Sequence, residues 1–199
     1  MLDEHVRSVL RRLEEETAAE SADLPVQERS LQIEPSSGAL LYALCCGRPG
    51  CEVLEIGGSR GYSTIWLAAA VREFGGHVTS LEADPVKLQA SARNISDAGL
   101  QEWIDVIPGD AFESLSRLDG PYDVVFLDAW KDDYEALFQL ARERLDDGAV
   151  VVADNVTSHE ALAAYSAARQ ADPTAVSVTV PPDNGLEVTS LLTGGLLSD

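Results

Sequence analysis

Two apolar runs in this chain end in oxygen-bearing side chains. Residues 124–128, VVFLD, stop at Asp128 and continue AWKDDY, which brings in Lys131 three residues later. Residues 150–156, VVVADNV, reach Asp154 and Asn155 in the same way. If both runs are neighbouring strands they lie about 4.8 Å apart, and all three oxygen-bearing side chains can meet at one point. Two carboxylates and an amide oxygen are hard ligands suited to Mg²⁺, which leaves its other positions to water or substrate. Without a cation, two packed carboxylates repel, and one takes up a proton. Either acid alone reads equally as a helix cap; the set at consecutive strand ends is what points to a metal. Beside such a cation the ammonium form of Lys131 is disfavoured, so its amine could serve as a base. On spacing alone, Lys131 reads equally as a solvated lysine.

A second set lies upstream. The stretch EIGGSRGYS, residues 55–63, carries Gly57, Gly58 and Gly61, which permit a tight turn and close approach of backbone to a ligand. Its spacing is G-G-x-x-G, not the GxGxxG of dinucleotide sites, which counts against a nicotinamide cofactor. The run SLEAD puts Glu82 where an acid can accept both hydroxyls of a ribose. The plainer reading is that Glu82 or Asp84 favours the start of the next helix. In PGDAF, Asp110 could accept from an exocyclic amine or cap a helix. Loop and acid together suggest an adenosine-containing ligand.

These residues need elements to hold them. From Cys51 onward the pattern alternates: strands CEVLEI, HVTSLE, WIDVIP, DVVFLD and GAVVVAD are separated by helices YSTIWLAAAVREF, PVKLQASARNISDAG, AFESLSRL and YEALFQLARERL. The helix SHEALAAYSAARQ follows, then strands AVSVTV and LEVTSLLT joined by the turn PPDNG, which predicts an antiparallel hairpin at one edge. Five strands with helical crossovers make a mainly parallel sheet covered on both faces, seven strands with the hairpin, an α/β fold. Ligands bind such sheets beyond the C-terminal strand ends, where the strand order reverses. Ahead of the sheet, Leu2, Val6, Val9, Leu10 and Leu13 mark an amphipathic helix over 3–20 that can lie on its own domain or on a second copy, so a homodimer stays open. The polar segment 21–38 reads as a loop passing over something, and GALLYALCC as a short buried helix. The chain is expected to be a single domain over 1–199, with the N-terminal helix and covering loop at 1–38 and the core at 39–199.

Bulk properties narrow the partners. A formal net charge of −20 repels phosphate backbones, which argues against nucleic acid. No stretch reaches the ~20 apolar residues of a membrane span, and the N-terminus has no signal-peptide run. Cys45, Cys46 and Cys51 form neither an even disulfide set nor CxxC spacing, so buried free thiols in a reducing cytoplasm are expected.

Taken in order, VLEIGGSRGYST, SLEADP, GDAFE, FLDAWKDDY, VVADNV and DNGLE resemble the metal-dependent class I O-methyltransferases, the family of catechol and caffeoyl-CoA O-methyltransferases. The likeness spans roughly residues 31–192, and LDAWKDDY paired with ADN is its specific part. It implies a Rossmann-like seven-stranded sheet with the last strand antiparallel. It implies S-adenosylmethionine held by Glu55, Gly57, Gly58 and Ser63, with Glu82 on the ribose and Asp110, Ala111 and Trp130 bordering the adenine. Asp128, also beside the cofactor, would hold Mg²⁺ with Asp154 and Asn155, and Lys131 would take the substrate proton. On that basis two adjacent oxygens of a small phenolic, catechol-like acceptor chelate the metal, and the deprotonated one attacks the sulfonium methyl in line.

The chain also departs from the family. Arg60 stands where a small or neutral residue is common and is expected to face solvent. The region AVSVTVPPDNG has no acid matching the glutamate with which catechol-specific members anchor the second hydroxyl. His159 lies just beyond the DN pair and could face the pocket, but an exposed helix-start histidine is the favoured reading. Other methyltransferase classes fit less well: amino methyltransferases of nucleic acids would show Asn/Asp-Pro-Pro-aromatic where DAWK stands, and no cysteine lies there for a carbon-5 mechanism. A non-catalytic S-adenosylmethionine-binding module would have no use for a base beside a metal.

Overall fold

The computed structural model of the chain describes residues 2–192 apart from 22, 26–27 and 182–183. Seven strands build one sheet: β1 (Glu52–Ile56), β2 (His77–Glu82), β3 (Ile104–Pro108), β4 (Tyr122–Leu127), β5 (Leu145–Ala153), β6 (Ala175–Val180) and β7 (Leu186–Leu191). Their spatial order is β3-β2-β1-β4-β5-β7-β6. The pairs from β3 through β5 are parallel, whereas β7 runs antiparallel to both β5 and β6. The strand order reverses between β1 and β4, the point at whose strand tips sheets of this kind bind ligands.

Among the described residues seven α-helices accompany the sheet: α1 (Glu4–Ala18), α2 (Pro35–Cys45), α3 (Tyr62–Val71), α4 (Pro85–Asp97), α5 (Ala111–Leu115), α6 (Tyr134–Arg142) and α7 (Glu160–Gln170). Alternation along β4 divides the core between the two faces. Val124 and Phe126 join α1 to α4 on one side, while Val125 and Leu127 join α5 to α7 on the other. Burying each such side chain contributes roughly 1.5–3 kcal/mol. The central strands therefore read as largely apolar runs, packed on both faces up to their C-terminal tips.

The expected elements are present with small shifts. α2 starts at Pro35, three residues before the expected Gly38, because proline suits the first helical turn. β5 begins at Leu145 rather than Gly148, extending past a register irregularity opposite Tyr122–Val124. The hairpin lies at the sheet edge as expected; its turn residues Pro182 and Asp183, and Thr193 at the end of the predicted last strand, lie outside the described residues. The apolar stripe of α1 (Val6, Val9, Leu10, Leu13) is buried in the chain's own core, which answers where that helix lies. One expectation fails: Cys45 and Cys51 are buried, but Cys46 is exposed, because it follows the last residue of α2 where the chain turns outward. Among the described residues, no helix is long and apolar enough to cross a membrane.

Candidate active site

β4 and β5 are hydrogen-bonded neighbours, and Leu127 pairs with Ala153. Asp128 and Asp154 each follow one member of that pair, so both leave the sheet at the same level. Backbone bonds fix the departure: Asp128 N–H donates to Ile56 O at 2.9 Å and Asp154 N–H to Leu127 O at 3.0 Å. Asp154 is 2% exposed. Asn155 takes a left-handed conformation, φ 61, which turns its amide back to donate to Asp154 Oδ2 at 3.0 Å. The structure thus gathers the three expected oxygen-bearing residues at the C-terminal tips of two adjacent strands.

Lys131 reaches the same place from the turn that follows β4. Its Nζ donates to Asp128 Oδ1 at 2.9 Å and to the Tyr134 hydroxyl at 3.0 Å. Tyr134 is 1% exposed and packs edge-on against Tyr165 with ring centroids 5.8 Å apart, so it is a firm support for the lysine. Burial pushes its phenol well above the usual tyrosine range, and the negative charges of Asp128 and Asp154 add to the shift. Tyr134 was not identified from the sequence; its spacing of three from Lys131 in KDDY was the available signal.

The glycine loop lies against the same corner. Gly57, at φ 101, sits so close to β4 that a β-carbon there would fall 2.1 Å from the Asp128 carbonyl oxygen. A β-carbon on Gly58 would fall 2.2 Å from Ser80 Oγ. Both glycines are thus demanded by contact, and the first ties the loop to the acid pair.

Beneath the loop, the Glu55 side chain is fully buried. Its Oε2 accepts the hydroxyls of Thr64 and Ser80 at 2.5 Å each, while Oε1 accepts none among the described residues. Burial pushes this carboxyl above its ordinary range, and the hydroxyls of Ser63, Ser80 and Thr64 oppose that by favouring the charged form. A buried acid with an open oxygen, facing a loop that admits no side chain, suits an ammonium group of a ligand. Thr64 and Ser80 were likewise missed by sequence reasoning, since hydroxyls on buried element faces carry no pattern.

The remaining expected residues divide. Glu82 Oε2 accepts Ser59 N–H at 2.7 Å, and its Oε1 accepts from Ala83 and Asp84 N–H, so the acid is braced beside the loop. The helix-start role belongs to Asp84, which caps α4. Asp110 caps α5, accepting from Phe112 N–H at 2.9 Å and Glu113 N–H at 3.3 Å, with Ala111 opening that helix. Trp130 is 66% exposed beside Lys131, which leaves its ring free to meet a ligand. His159 is exposed at the start of α7, as expected. Arg60 was expected to face solvent but is half-buried and held: its guanidinium pairs with Glu20 Oε1 at 2.8 Å and donates to Glu28 O at 2.7 Å. Attraction to the Glu20 carboxylate is the physical reason. Among the described residues no group of three or more His, Cys, Asp or Glu could hold a metal; the candidate set is two aspartates with an asparagine.

The chain is similar to several known proteins. A family model described as a methyltransferase domain matches residues 54–156, from β1 through the Asp154–Asn155 tip. The chain is 35% identical over 131 residues to a catechol O-methyltransferase of Niastella koreensis, covering 64% of this chain and 59% of that one. It is 36% identical over 140 residues to a catechol O-methyltransferase of Mycobacterium tuberculosis, covering 70% and 61%. Among solved structures, the O-methyltransferase TomG from Streptomyces achromogenes, in complex with SAM, superposes with a TM-score of 0.78 at 25% identity, covering 96% of this chain and 91% of that one. An O-methyltransferase from Bacillus cereus in complex with SAH gives 0.75 at 27% identity, covering 92% and 90%. The chain belongs to this methyltransferase-domain family. It spans about three fifths of the length of the two catechol O-methyltransferases it matches.

Proposed function

We propose that the protein transfers a methyl group from S-adenosylmethionine to a hydroxyl of a small catechol-like acceptor, with Mg²⁺ or a similar divalent cation in the site. The observation that carries this reading is the convergence of Asp128, Asp154 and Asn155 at paired strand tips, with the Lys131 amine 2.9 Å from Asp128. The names of the two catechol O-methyltransferases it resembles support the acceptor class.

Each residue then has a role. Glu55 Oε1 receives the ammonium of the methionine part, Gly57 and Gly58 let the loop backbone approach it, and Ser63 borders it from the first turn of α3. Glu82 accepts the ribose hydroxyls; Asp110, Ala111 and the exposed Trp130 ring border the adenine. The donor set fits a hard cation: Asp128, Asp154 and the Asn155 amide would hold it, and it would supply Lewis acidity that makes an acceptor hydroxyl easier to deprotonate. Lys131, as the amine, takes that proton, while Tyr134 and Asp128 fix where its nitrogen sits. The acceptor oxygen forms its bond to the methyl carbon as the carbon–sulfur bond breaks, and that electron pair stays on sulfur as a thioether. Much of the rate comes from holding the two reactants at contact in line. The acid excess argues against nucleic acid as acceptor, and three free thiols suit a cytoplasmic setting.

Calorimetry with S-adenosylmethionine, followed by methyl transfer to a panel of vicinal diphenols with Mg²⁺ or with chelator, tests the proposal. Transfer that requires the cation is expected. Binding without transfer to any diphenol would favour a non-catalytic binding module.

A further inference from the structure

The Arg60 guanidinium belongs to a closed circuit of bonds that the proposed chemistry does not use. Arg60 pairs with Glu20, which is 16% exposed in its side chain, and donates to the Glu28 carbonyl. The Glu20 carboxylate in turn accepts Ser30 N–H through both oxygens, at 3.1 and 3.0 Å, and the Ser30 hydroxyl at 3.2 Å. The Ser30 carbonyl accepts the hydroxyl of Ser59, the neighbour of Arg60 in the glycine loop, at 2.8 Å. Ser59 N–H donates to Glu82, and the Arg60 carbonyl accepts from Asn94 Nδ2 at 2.9 Å. Two non-glycine residues in the left-handed region flank the Ser30–Ser59 bond: Ser59 at φ 46 and Leu31 at φ 48. Such conformations persist only where the surroundings over-determine them. Here the circuit does so on both sides.

We propose that Arg60 and Ser59 pin the segment around Glu28–Leu31 to the glycine loop, so that cofactor binding and the seating of this segment form one coupled event. The inference rests on the reading of the glycine loop and Glu82 as the S-adenosylmethionine site. Glu82 is the hinge of the argument, because it braces Ser59 and is also the residue assigned to the ribose. A ligand that holds Glu82 and the loop in place holds Ser59, and through Ser59 and Arg60 it holds Ser30. The coupling is reciprocal: releasing the segment loosens the loop and weakens the ligand. Arg60 acts here as a positioning residue and touches no reacting atom.

The test combines calorimetry with S-adenosylhomocysteine and hydrogen exchange over residues 28–31. In the wild type, S-adenosylhomocysteine slows exchange in that stretch. Arg60→Ala and Glu20→Gln each weaken its binding about fivefold or more and abolish the added protection, and the double variant is no worse than either single one. Arg60→Lys, which keeps the charge but not both contacts, recovers part of the loss. Binding within about twofold of wild type in both single variants, with protection intact, overturns the pin. A wild type that fails to bind S-adenosylhomocysteine at all overturns instead the functional reading on which the pin rests.

Discussion

Replacing Glu55 with glutamine should make the protein more stable and worse at binding its cofactor. The side chain is fully buried and no cation contacts Oε1, so burial holds the carboxyl above its ordinary range. The sign follows from that direction. Below the unfolded-state value, near 4.3, both states are protonated and no penalty exists. As pH rises through the raised folded-state value, the native state must carry a disfavoured charge and loses stability relative to the unfolded chain. Glutamine has no such charge and can still meet the Thr64 and Ser80 hydroxyls, which rotate. A gain in stability is therefore expected near neutrality, and none in acid where the wild-type carboxyl is protonated in both states. The gain is read as a higher Tm for the variant at neutral pH. The ligand ammonium, however, loses a charge-assisted bond of about 1.5–3 kcal/mol, a weakening of roughly 10- to 150-fold. Thermal unfolding of the ligand-free variant from acid to neutral pH, paired with calorimetry using S-adenosylhomocysteine, reads both effects. The stability gap should open as pH rises. A variant that is less stable than wild type at neutral pH and binds equally well would refute the reasoning.

Three further substitutions separate the roles. Lys131→Met should lower kcat by about 100-fold or more while leaving S-adenosylhomocysteine affinity unchanged, since a positioned base contributes about 10²–10⁴; steady-state kinetics with calorimetry checks it. Gly57→Ala places a β-carbon 2.1 Å from a backbone oxygen at φ 101, and should cost about 3 kcal/mol or more in denaturant unfolding. Trp130→Ala, at a 66% exposed position, should leave Tm nearly unchanged yet weaken S-adenosylhomocysteine about tenfold through lost stacking.

The sheet was legible because its strands are buried on both faces and read as apolar runs, while prolines and glycines punctuate the helices between them. The tips of β4 and β5 were legible for the same reason: acids that follow long apolar runs stand out. What the sequence hid depends on contacts between distant segments. Arg60 looked solvent-facing because its partners, Glu20 and the Glu28 carbonyl, lie some thirty to forty positions earlier on an irregular stretch. Tyr134 reads as an ordinary aromatic at a helix start until its hydroxyl is seen 3.0 Å from Lys131. Asp110 carried two readings that spacing could not divide, and its side chain caps α5. Cys46 differs from Cys45 only by one step along a helix end, which is enough to move a thiol from core to surface.

Direct observation of cation binding bears most on the account, because the roles of Asp128, Asp154, Asn155 and Lys131 all depend on it. Mn²⁺ titration followed by electron paramagnetic resonance, with S-adenosylhomocysteine and a catechol present, should show one tight site per chain in the wild type. Asp154→Ala should lose that site and, with Mg²⁺ supplied, lose methyl transfer in parallel. Equal Mn²⁺ binding by the variant, or wild-type transfer undiminished by chelator, would contradict the account.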